Sequence, residues 1–134
     1  MPKLSFVEGI GPVYEEKLNN IGIKSTQKFF EVAATKKGRK ELAEKSGISE
    51  KLILEWTNMI DLFRIKGVGA EYADLLEAAG VDTVVELAKR RADNLTMKMI
   101  EVNNQKKLVR VLPTLEMVEG WIAQAKELPR GVEY

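Results

Sequence analysis

Two glycine corners, Gly9-Ile10-Gly11 and Gly67-Val68-Gly69, constrain the fold of this chain more tightly than any other feature of its sequence. Glycine gives the backbone access to positive φ and lets a second backbone or a ligand come close. After each corner the apolar residues recur at helical spacing: Tyr14, Leu18 and Ile21 in one case, Tyr72, Leu76 and Ala79 in the other. Gly22 and Gly80 then end the two helices. At one offset Leu4, Gly9, Gly11, Tyr14, Leu18 and Gly22 fall on Leu62, Gly67, Gly69, Tyr72, Leu76 and Gly80. Glycines and an aromatic in a single gap-free register identify an internal duplication.

The remaining segments also read as helices. Ser25 caps one that carries Phe29, Phe30 and Val32. Lys36-Lys37-Gly38-Arg39-Lys40 opens a short helix that exits at Gly47. Ser49 caps a longer one, with Ile48 and Ile53 placed as a hydrophobic staple and Leu52, Trp56, Met59 and Ile60 at helical spacing. In the second copy, Thr83 or Asp82 caps a helix through Val84, Leu87 and Ala88. Asn94 begins a segment whose boundaries around Asn103-Asn104 the pattern leaves open, and Pro113-Thr114 restarts a helix holding Val118, Trp121, Ile122 and Ala125. Trp121 stands where Trp56 stands in the first copy, after an insertion of about seven residues. Nothing reads as a strand. The expectation is an all-α chain forming one domain over 1–134, with repeats over 4–61 and 62–128 and a flexible tail over 129–134. No linker rich in Ser, Pro or Gly separates the copies, so they are expected to pack as one body.

Composition excludes several kinds of chemistry. With neither cysteine nor histidine, the chain has no disulfide, no thiol or Ser-His nucleophile and none of the usual zinc ligand sets. Neither a cofactor nor a metal is expected. Carboxylates such as Glu41, Glu44, Asp74 and Glu77 lie on polar helix faces and form no acidic cluster of the kind a two-metal nuclease needs, so no enzyme activity is expected. No apolar run approaches a membrane span of roughly 18 residues, and Met1-Pro2-Lys3-Leu4-Ser5 leads into no signal-peptide stretch. These features point to a cytoplasmic protein without membrane or small-molecule partners.

The corners themselves carry a resemblance. An apolar residue, any residue, Gly-apolar-Gly, then a helix with a small residue (Ala73) four past the second glycine, a Leu and Gly-Val resembles the helix-hairpin-helix motif. Two copies resemble the tandem arrangement found in DNA ligases, junction-binding proteins and repair nucleases. From Leu4 to Leu128 the chain is similar to a bacterial and plastid family of tandem helix-hairpin-helix proteins catalogued as a domain of unknown function. The resemblance implies two hairpin units related by an approximate two-fold axis and DNA binding without sequence specificity. One departure stands in the first copy, where Glu15 occupies the small-residue position.

The expected site follows from the corners and the charge around them. Amides past a glycine corner are the unpaired donors of a helix N-terminus and favour an anion. Arg64, Lys66, Gly67, Val68, Gly69 and Ala70 are the leading phosphate-binding candidates; Gly9, Ile10, Gly11, Lys36, Lys37, Arg39 and Lys40 form a secondary set. Lys89-Arg90-Arg91 is a further basic run, suited also to a helix C-terminus. Glu8 stands where Lys66 stands in the later copy, and Glu15 and Glu16 follow, so the second corner is the stronger candidate. The net charge is only +1, and the halves on either side of Leu62–Phe63 are each close to neutral. Duplex or branched DNA is therefore expected to bind weakly, through a local patch. A protein partner, with the hairpins serving only as architecture, is the alternative.

Overall fold

Side-chain oxygens fix where most helices begin. In the computed structural model, which describes residues 3–134, a 3-10 turn (Leu4–Phe6) precedes eight α-helices. These are α1 (Pro12–Asn19), α2 (Thr26–Ala33), α3 (Lys36–Ser46), α4 (Glu50–Leu62), α5 (Ala70–Ala78), α6 (Val84–Ala88), α7 (Ala92–Lys106) and α8 (Leu115–Glu127). Ser25, Thr35, Ser49, Thr83 and Thr114 each accept a first-turn amide, at 3.1, 3.0, 3.2, 3.3 and 3.1 Å. A cap of this kind is worth about 1 kcal/mol over alanine. The described residues contain no strand, so the protein is all-α.

The chain divides into two compact units, Met1–Asp61 with Gly131–Tyr134, and Leu62–Arg130. In the first, the 3-10 turn packs on α1 and α2 packs on α3. Trp56, from α4, is the centre of its core. The indole meets Tyr14 edge-on at 5.1 Å between ring centroids and Phe29 at 6.2 Å. Leu4, Leu18, Ile53 and Ile60 are buried with it. Gly38 is required by contact between helices: a Cβ there would lie 1.8 Å from the Val32 carbonyl oxygen.

In the second unit α6 and α7 both pack on α8, and α5 packs on α7. Trp121 from α8 takes the central place, with Tyr72 at 5.2 Å. Leu75, Leu76, Leu87, Leu95 and Val118 are buried in the same unit. The boundaries left open by the sequence resolve here. α7 starts at Ala92 rather than Asn94 and runs unbroken across Asn103-Asn104, ending where Lys107 turns to positive φ (53°). The Asn103 side chain then holds both backbone groups of Val109, accepting its N–H at 3.0 Å and donating to its carbonyl at 3.2 Å. The Tyr72 hydroxyl donates to the Val111 carbonyl at 2.8 Å. The inserted residues are thereby tied down without secondary structure of their own.

The segment over 129–134, expected as a flexible tail, makes tertiary contacts. Val132 is buried, and the Glu133 N–H donates to the Ala34 carbonyl at 2.8 Å. The Tyr134 hydroxyl lies 3.2 Å from Asn58 Oδ1. Pro129 and Gly131 interrupt any periodicity, so these tertiary contacts leave no local signal in the sequence.

Candidate functional site

Each corner is made by one glycine at positive φ and a second in ordinary extended backbone. Gly9 and Gly67 have φ of 97° and 95°, whereas Gly11 and Gly69 have φ of −89° and −98° and serve as N-caps of α1 and α5. The positive-φ demand therefore falls on the first glycine only. The tryptophan of each unit lies behind that glycine: a Cβ on Gly9 would sit 3.1 Å from Trp56 Nε1, and one on Gly67 would sit 3.2 Å from Trp121 Nε1. Inside the turn, Ile10 N–H donates to Val7 O and Val68 N–H to Ile65 O, both at 3.1 Å. The helices end alike as well, with Ile23 N–H on Leu18 O and Val81 N–H on Leu76 O. These backbone bonds correspond between the two corners.

The two helices that follow the corners, like α7, begin without a side-chain cap. The first bond of α5 runs from Ala73 N–H to Gly69 O, so the amides of Ala70, Glu71 and Tyr72 have no partner within the helix. α1 begins the same way with Glu15 N–H on Gly11 O, and Pro12 removes one of its orphan amides outright. Five other helices of the chain carry a Ser or Thr in that place. Glycine is a poorer cap than Ser by a few tenths of a kcal/mol, but it leaves the amides open.

Several expected site residues are engaged elsewhere. Val68 and Ile10 are buried and their amides close the turn, so neither offers a donor to a ligand. Arg64 donates to the Pro129 carbonyl at 2.7 Å. Arg39 does not join Lys36, Lys37 and Lys40 on the surface of α3. It is only 5% exposed and donates to the carbonyls of Ala33 (3.0 Å), Ala34 (3.2 Å) and Glu133 (2.6 Å). Burial holds its guanidinium below the usual arginine range, with Tyr134 and Glu50 acting in the other direction. In the run at the end of α6, Arg90 bridges Glu86 and the Gly80 carbonyl, and Arg91 pairs with Asp93. The Asn94 amide and then Arg91 hold the exposed Asp93 carboxyl below its ordinary value.

What remains open to solvent at the second corner is the side chain of Lys66 and the amides after Gly69. Gln124 sets the position of Lys66: its side-chain carbonyl accepts the Lys66 N–H at 2.9 Å and its amide donates to the Lys66 carbonyl at 3.2 Å. Sequence reasoning missed Gln124, whose signal was its place one turn past Trp121. The matching place past Trp56 is Met59, which is buried and can make no such pair. Glu71 was also passed over; it lies exposed in the first turn of α5 and sets a negative charge close to the open amides. At the first corner Glu8 and Glu16 are exposed, as is the apolar Val13.

The duplicated corners and their tryptophans lie within one recognised sequence unit: residues 8–128 match the model of the family described as Domain of unknown function (DUF4332). The chain belongs to that family. No curated protein and no solved structure matches it. Family membership thus fixes the extent of the unit and brings no activity with it. Among the described residues no helix is long and apolar enough to cross a membrane, and no group of acidic side chains is placed to hold a metal ion.

Proposed function

We propose that this DUF4332 chain is a tandem helix-hairpin-helix module that binds duplex or branched DNA weakly, through phosphates and without reading bases. The observation that supports the reading is that both corner helices are capped by glycine and keep first-turn amides without a side-chain acceptor, where five of the six other described helices carry a Ser or Thr cap. A phosphate is the ordinary partner for such amides. Lys66, whose backbone Gln124 holds, supplies the charge at the second corner. Contacts of this kind position a strand and carry no sequence preference. The module acts by binding rather than catalysis, in the cytoplasm.

A second reading applies to the first corner. Phe6 and Val13 are exposed apolar side chains on the segments flanking Gly9-Ile10-Gly11, and Glu8 and Glu16 oppose a phosphate there. These features suit a protein surface better than a nucleic acid, so the first corner is assigned to a protein partner and the second to DNA.

A salt titration of binding to labelled duplex tests the proposal. Affinity should fall as salt rises, with a slope reflecting about two to four phosphates at ~0.9 each. Lys66→Ala should lower that slope by about one unit for every sequence alike. Gly69→Asp separates binding from folding. An aspartate at the N-cap takes the first-turn amides for itself, leaving stability unchanged or higher by a few tenths of a kcal/mol. Its carboxylate also opposes phosphate by ~1 kcal/mol in water, so affinity should drop about fivefold or more. Glu8→Lys should change nothing if only the second corner meets DNA. Absence of salt-sensitive association at low ionic strength would remove the DNA reading.

A further inference from the structure

α2 ends with carbonyls that need donors from outside the helix. Two sources provide them. Arg39 reaches the carbonyls of Ala33 and Ala34, and the Glu133 N–H reaches Ala34 as well. Arg39 then turns its second terminal nitrogen to the Glu133 carbonyl at 2.6 Å. Both backbone groups of Glu133 are therefore held, one by a helix end and one by a buried guanidinium. On either side, Val132 is 2% exposed and Tyr134 lies along an open cleft of about 400 Å³ lined by Lys36, Glu50, Lys51 and Leu54. The tyrosine hydroxyl meets Asn58.

These are elements of peptide recognition: a two-point backbone clamp, a buried aliphatic position and, two residues further on, a half-exposed tyrosine anchored by its hydroxyl at the edge of a cleft. The buried Arg39 guanidinium makes its direct hydrogen bonds to three backbone carbonyls, with Glu50 lining the same cleft, an arrangement suited to reading a peptide backbone. We propose that the first unit carries a slot for a short extended peptide with a β-branched aliphatic residue two positions before a tyrosine, and that residues 131–134 are its tethered, displaceable occupant. A tethered segment competes at an effective concentration in the millimolar range, so in the native chain the slot is closed to dilute peptides. Displacing the segment uncovers Arg39, the Val132 pocket and the end of α2 together.

The test uses the full chain and a labelled hexapeptide copying residues 129–134, with both termini blocked. Val132→Asp disables the tethered occupant, because a carboxylate is not tolerated in the buried pocket. The variant should bind the hexapeptide at least about tenfold more tightly than wild type. A peptide N-methylated at its glutamate, or carrying Asp for Val, should not bind. If Val132→Asp keeps its helical circular dichroism and binds the peptide no better than wild type, the proposal is overturned. If the variant loses structure, added hexapeptide should restore the helical signal, and failure to restore it overturns the proposal equally.

Discussion

Trp121→Ala should destabilise the second unit by about 3–5 kcal/mol, the range for removing a large aromatic from a packed core. Trp121 is only 3% exposed, faces Tyr72 at 5.2 Å and stands behind Gly67. The loss has three parts. Transfer of the indole out of water is forfeited, the cavity it leaves cannot close fully, and the Tyr72 ring loses its aromatic neighbour. Trp56→Ala should act on the first unit with similar size, since Trp56 meets both Tyr14 and Phe29. Chemical denaturation followed by circular dichroism measures both. A cost below about 1 kcal/mol for either would show that the tryptophans do not organise their units. Trp→Phe should recover part of the loss in each case, as a smaller ring fills some of the same space.

The correspondence of these rings between the copies was legible in the sequence. The offset between the copies carries Tyr14 onto Tyr72, and Trp121 follows Trp56 once the insertion is allowed for. Helix starts were equally legible, because Ser25, Ser49, Thr83 and Thr114 announce them through local chemistry. What the sequence concealed was non-local. Arg39 lies in a run of lysines that reads as a solvated face, and only its contact with residue 133 explains why it turns inward. Gln124 looks like any polar residue on α8 until it is seen against Lys66. The Asn103 clamp on Val109 belongs to the same class: an amide side chain replaces backbone pairing across an irregular segment, and no periodicity encodes that.

Composition was a sound guide to charge but a poor one to availability. Of the basic side chains singled out at the second corner and at the end of α6, Arg64, Arg90 and Arg91 all have protein acceptors. Lys66, Lys36, Lys37 and Lys40 are exposed. Arginine's fixed fork is suited to holding carbonyls and carboxylates of its own chain, whereas lysine keeps a mobile point charge for solvent or a partner. The division between structural and available cations in this chain follows that chemistry.

Gly67→Val and Gly69→Val should differ sharply, although the two glycines are two residues apart in one corner. At Gly67 φ is 95°, a conformation that β-branched side chains rarely adopt, and the added Cβ would meet Trp121 Nε1 at 3.2 Å. Backbone strain alone is worth about 1–3 kcal/mol. The indole must also yield by a few tenths of an ångström in a core that packs tightly around it. At Gly69 φ is −98° with extended ψ, so valine meets no such conformational penalty. Replacing one weak N-cap by another costs below about 2 kcal/mol. Gly9→Val and Gly11→Val should repeat the contrast, since Gly9 has φ of 97° with Trp56 behind it and a Cβ on Gly11 would meet nothing within 4 Å. Thermal or urea unfolding of the four variants decides the point. Equal losses at the two glycines of a corner would refute the division of labour between a strained turn residue and an open helix cap. Unequal losses would leave Gly69 and Gly11 as the positions where the side chain was omitted for a reason other than folding.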